Sequence, residues 1–146
     1  MRVRRARAIH VFTILALSVA AWPAASASHD SLYDRLGGED GVSAFIGETI
    51  DLTAGDPELG RSFAKVNLDR VKRLLVEQIC ALTGGGCVYS GDSMSDVHAG
   101  LGLTERDMYG LVEILREAME RRGVGIRERN ELLAILAPMK RDVVTE

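Results

Sequence analysis

The chain has 146 residues with 18 Lys and Arg against 21 Asp and Glu, a formal net charge of −3 at neutral pH. That length suits one domain with a modest core, and the acidic balance excludes a nucleic-acid-binding surface built on bulk positive charge. Only two cysteines and three histidines are present, too few nitrogen and sulfur ligands for a closed four-ligand zinc site.

The first 27 residues read as a secretory signal peptide. Arg2, Arg4, Arg5 and Arg7 form a basic front, Val11 to Trp22 an apolar run too short to span a bilayer, and Ala25-Ser26-Ala27 a small-residue cleavage site. An uncleaved N-terminal anchor is the alternative. Cleavage leaves residues 28–146 as one domain, exported to a bacterial periplasm or secreted and without a stable membrane anchor. Removing four arginines makes that domain more acidic.

Helical spacing dominates the remainder, and period-2 alternation is scarce. Ser31, with Asp34 three residues on, opens a short helix closed by Gly37-Gly38. Residues 39 to about 55 repeat apolar positions at Val42, Phe45, Ile46, Ile50 and Leu52. Pro57 then starts a turn carrying Leu59 and Phe63. From Leu68 to Leu82 the apolar set Leu68, Val71, Leu74, Leu75, Val76, Ile79 and Leu82 marks a helix with a wide buried stripe.

Cys80 and Cys87 flank Gly84-Gly85-Gly86. In an oxidising compartment this pair reads as a disulfide tying a helix end to the following loop; a redox-active or metal-binding pair is the alternative. Ser93 and Asp96 resemble a second capping box, starting the turn that carries His98, and Gly100 and Gly102 end that turn. Thr104 and Asp107 open the most regular helix, with Met108, Leu111, Val112, Ile114, Leu115 and Met119 inward, stopping at Gly123. A last helix from about Ile126 to Val144 turns Leu132, Leu133, Ile135, Leu136, Met139, Val143 and Val144 inward, with Pro138 kinking it or ending its first half. The fold class is all-α.

His10 falls in the expected signal peptide and His29 at the edge of the mature chain, so His98 is the sole imidazole in the folded body. A lone histidine is most often a structural side chain. A single imidazole can nevertheless hold a haem iron from one side. His98 sits on a short turn clipped by glycines, beside a broad apolar helix, and aromatics make up only 5% of the chain.

The segments LYDRLGGEDGV at 32–42, DPEL at 56–59, VNLDRVKRLLVEQICALTGGGCVYSGDSMSDVHAGLGLTERDM at 66–108 and ELLAILAPMKRDVV at 131–144 resemble the truncated haemoglobins of group one. The most specific pattern is Gly84-Gly85, Tyr89, Gly91, Met94, His98, Leu103 and Thr104. The resemblance implies a two-over-two helical sandwich holding haem b between the Leu68–Leu82 helix and the His98 turn. His98 matches the proximal iron ligand, Phe63 the aromatic wedged against the macrocycle, and Tyr89 and Met94 positions lining the haem. Lys72 or Arg73 would reach a propionate unless they belong to a solvated face.

Group-one members commonly carry a tyrosine on the second helix and a glutamine on the distal helix as donors to bound dioxygen. The matching positions here are Ile50 and Leu75, with Val71 at the distal gate and Ile79 one turn deeper, which implies an apolar distal wall. A buried donor strengthens binding of a partly charged ligand by about 1–3 kcal/mol. Without one, O2 leaves faster, and NO and CO gain relative to it. Gln78, and Thr49 with Thr53, are rescue candidates, Gln78 reading first as a surface or helix-end residue. Lys72 or Met94 as a sixth iron ligand stays open.

The function implied is diatomic gas binding (O2, NO or CO), with the reductase partner unidentified. Two alternatives remain: NO dioxygenation or peroxidase-type turnover at the same haem, and a haem-free helical interaction module. No acid–base pair stands on the distal side as a peroxidase would need, so catalysis stays undecided at this point.

Overall fold

The computed structural model describes residues 30–145, all helical or irregular, with no strand among them. The expected signal peptide, His10 and His29 lie outside the described residues.

Helix α1 (Leu32–Arg35) is one turn, fixed by a reciprocal capping box between Ser31 and Asp34. Gly37 and Gly38, both at positive φ, turn the chain directly into α2 (Gly38–Gly55). Val42, Phe45, Ile46 and Ile50 are buried on α2, whereas Leu52 is 47% exposed, lying about 90° round the helix from the centre of that buried face. A 3-10 turn at Gly60–Phe63 follows.

Helix α3 (Leu68–Thr83) starts at Asn67, whose side chain accepts from the Arg70 N–H, and ends at Gly84, φ +88°. Ile79 and Cys80 are fully covered. Leu82, expected inward, is 39% exposed.

Helix α4 (Met94–His98) spans five residues, with Ser93 accepting from the Asp96 N–H. The reciprocal half of a capping box is not formed there. The Asp96 carboxylate instead accepts from the Ser93 hydroxyl at 2.6 Å. Helix α5 (Glu105–Arg121) opens with a full capping box between Thr104 and Asp107. Helix α6 (Ile126–Leu136) stops two residues before Pro138, whose ring and missing N–H convert the chain to a 3-10 turn at Ala137–Met139. Helix α7 (Lys140–Val143) completes the fold.

Helix α2 packs against both α3 and α5, α5 against α6, and α1 bridges α2, α3 and α6. The core is one cluster drawn from all of them, including Leu36, Phe45, Ile50, Ile79, Met119 and Leu132. The short α4 has no place in this cluster and rests on α7. A gap is left between α3 and α4.

Candidate functional site

The gap is a cavity of about 380 Å3, within the range of small-molecule and cofactor sites. One wall is α3, through Val71, Leu74, Leu75 and Gln78. Across it stand Met94, Val97 and His98 of α4. Ile50 and Phe63 come from α2 and the 3-10 turn, and Tyr89 from the loop before α4. Met108 and Leu111 of α5 and Val143 of α7 close the far side.

His98 occupies the last position of α4, half-buried. Its Nδ1 lies 2.7 Å from the Met94 carbonyl oxygen, one turn back. A carbonyl oxygen only accepts, so Nδ1 carries a proton, and in the neutral ring the lone pair is on Nε2. No hydrogen bond among the described residues engages Nε2, which makes it available to an electrophile such as a metal ion.

Polar atoms around the cavity are nearly all committed. The hydroxyls of Thr49 and Thr53 donate to the carbonyls of Phe45 and Thr49, both at 2.7 Å, so these rescue candidates spend their protons inside α2. The Tyr89 hydroxyl donates to the Asp92 carbonyl at 3.0 Å, and burial with nearby Asp92 and Glu77 pushes its pKa up, keeping it neutral. Asp107 is ion-paired with Arg61 and accepts from Thr104, which holds its carboxyl at about 2.

Of the residues the sequence singled out, Ile50, Phe63, Val71, Leu75, Tyr89, Met94 and His98 line this one cavity. Ile79 does not. Its side chain, 2% exposed, belongs to the core cluster, one turn beyond Leu75 along α3. Gln78 is the second departure: the residue read as surface or helix end is 7% exposed and lines the cavity.

Lys72 and Arg73 turn away. Lys72 pairs with Asp51 at 2.6 Å and Arg73 with Glu77, so neither side chain faces the cavity. Arg70, not singled out beforehand, lines the open rim with Asn67 and forms no ion pair among the described residues. Four-residue spacing from Leu74 was the available signal for it.

The cysteines form the disulfide Cys80–Cys87, with Cα atoms 5.6 Å apart, not a free redox pair. The bridge ties the end of α3 to the loop that carries Tyr89. Farther along, Ser90 donates its N–H and hydroxyl to the Glu77 carboxylate at 3.2 and 2.6 Å.

Comparison with known proteins gives this arrangement its relatives. The profile of the bacterial-like globin family matches residues 31–145. A group 1 truncated haemoglobin of Mycolicibacterium paratuberculosis is 32% identical over 116 residues, covering 79% of this chain and 85% of that protein. One from a Nostoc species is 29% identical, covering 75% and 93%. Among solved structures, the truncated haemoglobin of Tetrahymena pyriformis in its Fe(III) form superposes with a TM-score of 0.75 at 21% identity, over 80% of this chain and all of that one. The 2/2 haemoglobin of a Synechococcus species, in its cyanomet state with covalently attached haem, superposes with a TM-score of 0.74 at 22% identity, over 80% of this chain and all of that one. The all-helical fold is that of the two-over-two globins, and the chain belongs to the truncated haemoglobin family.

Proposed function

We propose that the cavity holds haem b with His98 as the proximal ligand, and that the protein binds a diatomic gas on the opposite face. The observation that carries this is the imidazole: Nδ1–H fixed on the Met94 carbonyl and Nε2 free, on the wall of a mostly apolar cavity. The donor set fits the group, since neutral imidazole is an iron ligand and the lining supplies the dry surroundings that a porphyrin requires. When bound, haem iron supplies reversible coordination of O2, NO or CO.

The chain's own residues provide the rest. Leu74 and Leu75 of α3 and Val97 of α4 are apolar surfaces for the two porphyrin faces, and Phe63 is an edge contact. Arg70 at the rim is the cation positioned for a propionate. Both cysteine sulfurs are spent in the disulfide, so no thioether attachment is available and the haem is held without covalent bonds to cysteine. Ile50, Val71 and Leu75 offer no donor to a ligand. This favours NO and CO relative to O2.

The test is a spectrum. Purified protein supplied with haem should show a Soret band that His98→Gly weakens and added imidazole restores. An unchanged band in His98→Gly would refute the assignment. Export is proposed on the basic front, apolar run and cleavage site of residues 1–27, in keeping with the disulfide. Its test is an N-terminus at Ser28 on protein recovered from outside the cytoplasm, and an intact Met1 there would overturn it.

A further inference from the structure

The Cys80–Cys87 bridge links the two sides of the cavity covalently: Cys80 stands in α3, and Cys87 in the loop that carries Tyr89 and runs on to α4 and His98. Residues 86–92 of that loop have little else to hold them. Among the described residues, none of the seven takes part in a backbone–backbone hydrogen bond. Val88 is 85% exposed and adds no packing, and the Tyr89 hydroxyl bonds within the loop, to Asp92. The hydrogen-bonded tie back to α3 is the Glu77–Ser90 pair, on an exposed serine.

The two cysteines differ in access. Cys80 has no exposure, and its Sγ is so near Gly85 that a Cβ there would come within 2.5 Å of it, with the Tyr33 ring alongside. Cys87 is exposed. Thiol–disulfide exchange needs a thiolate to reach one sulfur while the other leaves, and the approach is open at Cys87. A thiolate attacks Cys87 Sγ, the Cys80–Cys87 bond breaks, and Cys80 leaves and takes a proton in its buried position. The second thiol of the same reagent then displaces Cys87 from the mixed disulfide. The dithiol becomes a disulfide, and the bridge gains two electrons and two protons.

We infer that Cys87 is a thiol–disulfide exchange site and the bridge a redox latch on haem retention: a dithiol opens it, the loop leading to His98 loosens, and haem is held less tightly. The inference rests on the haem reading above. With the latch closed, the loop is already ordered when haem arrives, so binding does not bear that entropy. With it open, the loop must be ordered on binding, and the affinity falls by that amount. Buried Cys80 stays in place as a small apolar thiol, so the helices remain packed.

The test uses the unaltered chain loaded with ferric haem, oxidised or opened by dithiothreitol that is then removed without air. Opening is read as a gain of two hydrogens by mass. Haem transfer to excess apomyoglobin should quicken about tenfold on opening, the value of re-ordering roughly one residue's backbone, at unchanged helix content. Reoxidation should restore the slow rate. Cys87→Ser, with neither bridge nor exposed thiol, should transfer haem at the fast rate whether or not it meets the dithiol. The unaltered chain carries the test by itself if that variant does not fold. Equal transfer from the oxidised and opened chains, or a bridge that dithiothreitol leaves closed in the folded protein, would overturn this inference while leaving haem binding intact. Faster transfer with loss of helix would overturn it too, since unfolding would then free the haem. A protein that takes up no haem would overturn both readings.

Discussion

Reducing the Cys80–Cys87 bridge leaves every side chain in place and removes only the covalent tie between α3 and the loop before α4. The two cysteines are seven residues apart in sequence, so the bridge closes an eight-residue ring. The loop-closure entropy of such a ring corresponds to about 2.5 kcal/mol at 25 °C, all of it gained by the unfolded chain on reduction. The folded side loses little, because Cys80 remains fully buried as a thiol and Gly84 still caps α3. With a urea dependence of about 2 kcal/mol per molar for a domain of this size, the midpoint should fall by roughly 1 M. The assay is urea unfolding of the oxidised chain against the same chain kept reduced by a phosphine. Amide exchange should quicken first in the loop from Cys87 to Ser93 while α5 keeps its protection. Midpoints within about 0.2 M of each other would refute the reasoning, since the ring would then impose no restriction that the unfolded chain lacks.

The carboxyl of Asp107, held at about 2 against an ordinary 3.8 by Arg61 and Thr104, stabilises the fold above pH 4 and loses that contribution as pH falls toward 2. Asp107→Asn should therefore cost about 1–2 kcal/mol at pH 7, Arg61 being half exposed and screened, with the gap closing near pH 2 in urea titrations. Gly85→Ala would bring a methyl within 2.5 Å of Cys80 Sγ and 2.6 Å of the Tyr33 ring, so a lower melting temperature is expected despite alanine's lower unfolded entropy. Phe45→Ala, at a side chain with no exposure, should cost about 3–5 kcal/mol by urea unfolding.

The features legible in the sequence are those whose causes are local. Ser31 with Asp34 and Thr104 with Asp107 are capping boxes in fact as in pattern, because each closes within one turn and needs nothing from elsewhere. Pro138 breaks the last helix for an equally local reason. Helical periodicity identifies the face of α3 but not what that face meets. Ile79 and Leu75, four residues apart, are separated by the boundary between the core under α2 and the cavity. That boundary is set by where α4 lies. Gln78 differs from its sequence reading for a related reason: a polar residue near a glycine stop looks exposed until Met139, 61 residues later, is folded over it.

The same distinction explains how a five-residue helix can aim a side chain. A helix of that length does not hold itself together, since nucleation costs more than its few bonds return. Helix α4 is instead held from outside. Upstream, the disulfide and the Glu77–Ser90 bonds fasten its leading loop to α3. Downstream, the Thr145 N–H donates to the Leu103 carbonyl at 2.9 Å and the Leu103 N–H to the Thr145 hydroxyl at 3.1 Å, pinning the trailing loop to the C-terminal tail. With both ends fixed, the 2.7 Å bond from Nδ1 to the Met94 carbonyl has only the ring rotation of His98 left to set. The direction of Nε2 is thus decided by residues as far away as Cys80 and Thr145, none of which touches it.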